Sequence, residues 1–221
     1  MELRNAVNKW RQPLLSVVCI AVLTSFTGQE DWVPLFNGRD LENWDHVGPG
    51  GFVVEDGQLK TEGGMGLLWY TPQKFENVKL RIVYRGASQS NSGVFIRIPE
   101  KPTEPWMPVN RGYEVQIDDR QDEFHSTGVL YSFTKAMAAP GKPDEWNVMV
   151  ITLDGDRTMV EVNGVLVTDF KEGDEVPPKV EPYEPDRGRR SNAGYIGLQN
   201  HGDADVIYFR EISYQPLRSN R

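Results

Sequence analysis

The chain reads as an all-β protein, a sandwich or a barrel, on three observations. Apolar and polar residues alternate at a period of two over many short segments, the mark of strands with one buried face. Gly, Asp, Asn and Pro bound those segments at short intervals, as turns require. After the N-terminal leader, no stretch carries the 3.6-residue apolar period of an amphipathic helix.

The leader comes first. Arg4, Lys9 and Arg11, an apolar run from Leu14 to Leu23, and small residues from Thr24 to Gly28 compose a secretory signal peptide over residues 1–28. The run is shorter than the ~20 apolar residues of a spanning helix; an uncleaved anchor is the alternative. Removal leaves residues 29–221 as one domain, exported to the periplasm or the exterior and not inserted in a membrane. Cys19 is the only cysteine and leaves with the leader, so stability rests on burial rather than disulfides. A net charge of −8, about −10 without the leader, argues against nucleic acid and anionic membranes as partners. It places no limit on a neutral sugar, and nothing in the pattern sets an oligomeric state.

The strands follow in order. Leu80, Ile82 and Tyr84 alternate with Lys79, Arg81 and Arg85, and Val94 and Ile96 with Gly93, Phe95 and Arg97. Residues 98–110 hold four prolines and form a loop with Trp106 at its centre. In Gly112–Asp119, Tyr113, Val115 and Ile117 point one way, and Glu114, Gln116 and Asp118 the other. Trp146, Val148 and Val150 open a strand that ends near Leu153; Asp154-Gly155-Asp156 turns it into Thr158-Val160-Val162, and Asn163-Gly164 turns that into Val165-Leu166-Val167. Residues 171–193, with four prolines among charges, make a long loop. Arg187, Arg189 and Arg190 are placed to close over a site, although a solvated charge run is the plainer reading. Strands resume at Tyr195–Asn200 and Val206–Ile212.

Three of these strands share a face. If 91–97, 113–118 and 194–201 are neighbours, their outward side chains bring together Asn91, Arg97, Glu114, Gln116, Asp118, Gln199 and His201. Phe95 and Tyr195 supply flat apolar surfaces, and Gly93 and Gly197 leave room above the sheet. Carboxylates and amides bind hydroxyls, so the predicted pocket suits a hydroxyl-rich ligand. The half-solvated outer face of an antiparallel sheet is the competing explanation. Of the three histidines, His201 ranks first as functional, His125 second and His46 last. Asp118, Asp119, Asp122 and Glu123 leave room for a divalent cation through oxygen, but no H-E-x-x-H, Cys-His or EF-hand spacing occurs, so no metal ligand is assigned. Nucleophile elbows, dinucleotide fingerprints and P-loops are absent.

Asn91–Arg97, Tyr113–Asp118, Gly128–Tyr131, Glu145–Asn147, Val162–Val165 and Gly194–Gly202, together with Phe36–Trp44, resemble the 3-keto-disaccharide hydrolase domain family over roughly residues 31–216. The resemblance implies a two-sheet antiparallel β-sandwich, a jelly roll of the concanavalin A-like lectin/glucanase type. It further implies an exported, carbohydrate-active enzyme acting on 3-keto-glycosides. In that scheme a base takes the C2 proton and the C1 substituent is eliminated. Glu114 or His201 is the expected base, and Arg97 or a bound cation the expected partner of the enolate oxygen. Gln116, Asp118, Gln199, Asn91, Tyr195, His125 and Trp106 are the expected substrate-binding residues. The Glu114 strand is also distantly similar to the glycoside hydrolase family 16 signature. Gln116 replaces its middle acid, however, and Glu114 and Asp118 lie ~13 Å apart along a flat strand. Conventional glycosidases need about 5–5.5 or 6.5–9.5 Å, which disfavours that alternative. A non-catalytic carbohydrate-binding module remains the other alternative.

Overall fold

Two antiparallel sheets face each other across an apolar layer in the computed structural model, which describes residues 32–120 and 122–217. The expected signal peptide, Cys19 and the domain start at residue 29 lie outside the described residues. The strands are β1 (Val33–Pro34), β2 (Trp44–Val47), β3 (Gly51–Glu55), β4 (Gln58–Glu62), β5 (Gly66–Tyr70), β6 (Val78–Gly86) and β7 (Asn91–Ile98). After the short helix α1 (Met107–Arg111) come β8 (Tyr113–Asp118), β9 (Asn147–Asp154), β10 (Arg157–Val162), β11 (Val165–Lys171), β12 (Tyr195–Asn200) and β13 (Ile207–Pro216). One sheet runs β11-β10-β9-β6-β13-β4-β3, with β1 added on β13; the other runs β2-β5-β12-β7-β8. The all-β sandwich is therefore as the alternation predicts. No helix among the described residues is long and apolar enough to cross a membrane.

Turn chemistry closes the β9–β10 and β10–β11 hairpins of the larger sheet. Asn163 and Gly164 both take positive φ, 51° and 77°, between the paired residues Val162 and Val165. That is the backbone of a tight hairpin whose twist matches its strands. The Asp154–Arg157 turn uses positive φ at Gly155 alone. The strand expected to end near Leu153 carries apolar residues on both faces. In β9 the core side holds Met149, Ile151 and Leu153, while Val148 and Val150 are half-buried on the outer side. Trp146 lies outside the strand, with the guanidinium groups of Arg85 and Arg210 over its ring at 5.0 and 4.5 Å.

The apolar layer takes Leu80, Ile82 and Tyr84 from β6, Val94 and Ile96 from β7, Val115 and Ile117 from β8, and Ile196 and Leu198 from β12. In the smaller sheet β12, β7 and β8 are consecutive neighbours, with Leu198 opposite Val94 and Val94 opposite Val115. With a period of two, the residues on either side of these pairs point outward. The outward face is not open everywhere. Leu67, Trp69, Phe95 and Ile98 form a second apolar cluster on it, capped by Val109 of α1.

Arg97 breaks the alternation. It has φ +56°, and the β7–β12 register shifts beside it. The kink sends the side chain inward, and Ile98 takes the outward place that Arg97 was expected to hold. The expected outward position of Arg97 is thus corrected: it is fully buried. Its Nε bonds Thr158 Oγ1 (3.2 Å), Nη1 donates to Asn192 O (2.9 Å), and Nη2 to Gly155 O (3.0 Å) and Arg157 O (3.1 Å). The guanidinium bolts β7 to the β9–β10 turn of the opposite sheet. Gly194 fits this kink: a Cβ there would lie 2.2 Å from the Arg97 carbonyl carbon. Burial lowers the Arg97 pKa, with the charge of Glu172 the first opposing influence.

Arg97→Leu is expected to lose about 3 kcal/mol or more of unfolding free energy, because several buried carbonyls lose their donor. Arg97→Lys recovers only part of it, since an ammonium lacks the planar fork. Urea unfolding measures both; wild-type stability in Arg97→Leu would contradict the bolt.

Candidate functional site

A cavity of about 730 Å³ opens on the outward face of β7, β8 and β12. Glu114, Gln116 and Asp118 line it from β8, Asn91 from β7, Gln199 from β12, and His201 just beyond β12. Trp106 and His125 also line it. Of the ten expected site residues, the structure brings these eight together. Arg97 is on the inner side, as above. Tyr195 shares the outward face but lies outside the cavity lining, packed edge-on against Trp69 at 5.1 Å. Phe95 is likewise buried in the second apolar cluster, so neither ring offers the open flat surface expected of it.

Glu114 occupies the floor. It sits opposite Phe95, while its carboxyl leans over the neighbouring Gly93: a Cβ at Gly93 would be 2.5 Å from Glu114 Oε1. The absent side chain at Gly93 therefore makes space for the acid rather than for a ligand. The space above Gly197 is filled too, since a Cβ there would lie 2.6 Å from Leu67 Cδ1. Burial pushes the Glu114 carboxyl up to about 8; a hydrogen bond with Gln199 opposes this, and the charge of Asp118 adds to it.

The amides around Glu114 carry unused capacity. Gln116 Nε2 donates to Asn91 Oδ1 (3.1 Å), which leaves Gln116 Oε1 buried without a partner. Gln199 Oε1 is likewise buried and unpartnered. A buried acceptor without a donor is costly, and both belong to residues lining the cavity. A ligand with hydroxyl donors satisfies them.

His201 is held by a residue that sequence reasoning missed. Its Nδ1 lies 2.8 Å from Asp205 Oδ2, and Asp205 Oδ1 accepts the backbone N–H of Asn91 (2.8 Å). A carboxylate acceptor at Nδ1 selects the tautomer with its proton there and leaves Nε2 as a base. The spacing His201…Asp205 was available, but nothing in it announces a loop that folds back onto β7. His125 is different. Its Nδ1 is 3.0 Å from Asp122 Oδ2 and its Nε2 3.1 Å from Ser132 Oγ, so both nitrogens are engaged.

Asp118 is buried and spoken for. Its carboxylate receives Arg120 Nε at 2.8 Å, the Arg120 backbone N–H at 2.8 Å, and Arg120 Nη2. Arg120 also lines the cavity and is the arginine of its wall. The 171–193 loop contributes carboxylates and a ring, Glu181, Glu184 and Tyr183, instead of its arginines. Arg187 and Arg190 lie beneath the loop and bond carbonyls, including Pro177 O at 2.8 Å and Gly112 O at 2.8 Å. Among the described residues, no group of three or more His, Cys, Asp or Glu is placed to hold a metal ion.

Known proteins extend this description. The model of a family described as "3-keto-alpha-glucoside-1,2-lyase-like domain" matches residues 31–215. A 3-keto-disaccharide hydrolase of Bacteroides thetaiotaomicron is 23% identical over 232 residues, 85% of this chain and 79% of that protein. A Parabacteroides distasonis crystal structure, described as a putative glycosyl hydrolase, superposes with a TM-score of 0.71 at 23% identity, covering 89% of this chain and 99% of its own. A carbohydrate binding module of Bacillus subtilis shares the sandwich with a TM-score of 0.54 at 12% identity, over 78% of this chain and 95% of its own.

The raised pKa of Glu114 has a thermodynamic consequence. The native carboxyl keeps its proton between the ordinary value of 4.5 and about 8 while the unfolded one has lost it. Stability from this group is therefore full at low pH and lost as pH rises through that window, at up to ~1.4 kcal/mol per pH unit. Glu114→Gln, which stays neutral, is expected to gain stability over wild type progressively from pH 5 to about pH 8 and to hold a constant advantage above it. Thermal unfolding across that range checks it; a pH-independent difference would refute the assignment.

Proposed function

The chain belongs to the 3-keto-alpha-glucoside-1,2-lyase-like domain family, and on that premise we propose that it is an exported enzyme that cleaves 3-keto-glycosides by C2 proton removal and elimination. One observation carries this reading: a buried acid and a carboxylate-held histidine line the same cavity. A ketone at C3 acidifies the C2 hydrogen, so a single positioned base begins the reaction. His201 takes that proton on Nε2, with Asp205 holding the ring. The C2 electron pair moves into the carbonyl and gives an enolate. As the C3 carbonyl re-forms, a C1=C2 bond forms, the C1–O bond breaks, and the departing oxygen takes a proton from Glu114. With a pKa of about 8, Glu114 carries that proton at neutral pH, which fits it for the acid's part. Water then adds across the C1=C2 bond to give the free 3-keto-sugar.

Arg120 takes the place formerly expected of Arg97, as the cation nearest in kind to an enolate oxygen's needs. Gln116 and Gln199 orient sugar hydroxyls through their free oxygens. Export rests on the leader sequence alone. The second reading is a non-catalytic sugar-binding module, favoured by the sandwich shared with the Bacillus subtilis module.

The test gives purified protein a 3-keto-glucoside and the unoxidised glucoside, in light and heavy water. Turnover of the keto-sugar with solvent deuterium entering C2 is expected, and none of the unoxidised sugar. Glu114→Gln should cut product release by ~10²-fold or more while C2 exchange persists; His201→Gln should abolish exchange. The kcat/KM profile should fall above pH about 8 as Glu114 loses its proton. Turnover of the unoxidised sugar alone would overturn the elimination scheme, a rate rising through pH 8 would make Glu114 the base, and sugar binding without any turnover would favour the module.

A further inference from the structure

We propose that Trp106 and Tyr183 form a two-ring clamp for the leaving group, so that this enzyme favours glycosides whose C1 substituent presents a flat apolar face, aryl or pyranosyl. The proposal rests on the elimination reading above for where the leaving group sits, and on the following geometry for the clamp.

Large apolar side chains are rarely left in water without a reason when they cluster around a concave site. Trp106 is 47% exposed and Tyr183 62%, and both line the cavity whose floor holds Glu114. They come from separate loops, 99–106 ahead of α1 and 172–194 between β11 and β12. Neither packs in an apolar cluster, unlike Phe95, Trp69 and Tyr195 on the same sheet face.

The loop that carries Tyr183 is bonded to the C-terminal end of α1, the helix that follows Trp106. Arg190 is buried and donates from Nε to Gly112 O, at the C-terminal end of α1, and from Nη1 to Gly188 O at 3.0 Å. Its guanidinium lies over the rings of Tyr113 and Phe133, at 5.3 and 5.4 Å. Within the loop, Arg187 binds the carbonyls of Pro177 and Pro185, and Glu184 Oε2 accepts the N–H of Val180 at 2.9 Å. The segment that carries Tyr183 is thus tied both to itself and to the helix that follows Trp106. A ring carried on a loop tied down in this way suits a planar group, because less loop freedom is lost on stacking. Pyranose C–H faces and aryl rings both offer such a surface; a small alkyl group does not.

The experiment compares phenyl 3-keto-glucoside, a 3-keto-disaccharide and methyl 3-keto-glucoside as substrates for wild type, Tyr183→Ala, Tyr183→Phe and Trp106→Ala. Each variant is divided by wild type on the same substrate, which cancels the intrinsic leaving ability of each group. Tyr183→Ala and Trp106→Ala are expected to raise KM ~3- to 10-fold on substrates with a ring in the leaving group, with kcat little changed, and to alter the methyl glycoside less than twofold. Tyr183→Phe should keep wild-type KM. A loss on the phenyl arm alone, or on the disaccharide alone, assigns the clamp to that ring type. Equal losses on all three substrates, or no loss on any, overturn the clamp. If wild type turns over none of them, the elimination reading fails, and calorimetric binding of phenyl and methyl glucosides decides the clamp separately. A wild-type preference for phenyl that vanishes in Tyr183→Ala supports it, and the lack of any preference overturns it.

Discussion

The hydrogen-bonded ladder through β12, β7 and β8 is the constraint on which the cavity depends. With Leu198 opposite Val94 and Val94 opposite Val115, one row is committed to the apolar layer between the sheets. Their neighbours Gly93, Gln116 and Gln199 must then face outward, because side chains alternate along a strand. A one-residue slip of any of the three strands would put amides into the core and aliphatic side chains into the cavity. The register is therefore held by burial on one side, and the polar side inherits its geometry from it.

On that ladder Glu114 is the costly element. A carboxyl in a poorly hydrated place resists ionisation, and the sheet holds it there through the gap at Gly93. The unpartnered oxygens of Gln116 and Gln199 are a second cost in the same small volume. Costs of this kind collect at functional sites, where the compensation is the ligand or the reaction rather than the fold. The remaining groups around them are satisfied: Asp118 by Arg120, His125 by Asp122 and Ser132, and Asn91 by Gln116.

Local pattern carried far, and its failures have physical causes. The period of two was enough to assign the faces of β8 and β12 and most of β7, and the Asn-Gly pair was enough to place the β10–β11 hairpin. It failed at Arg97, where a positive φ inserts a kink that no composition rule announces. Asp205 escaped because its partner is brought near by a loop, not by a strand. The 171–193 loop was misread in part for a similar reason. Its arginines look solvated in one dimension, but a guanidinium can be buried when carbonyls and aromatic faces receive it.

The buried Arg97 and Arg190 also bear on how the domain is made. Among the described residues there is no cysteine, and the links that Arg97 and Arg190 make between distant segments are guanidinium-to-carbonyl contacts that form without any oxidant. Such fasteners are indifferent to thiol reductants and need no isomerase to reshuffle them. Refolding of residues 29–221 from urea should accordingly proceed the same way in dithiothreitol as in air.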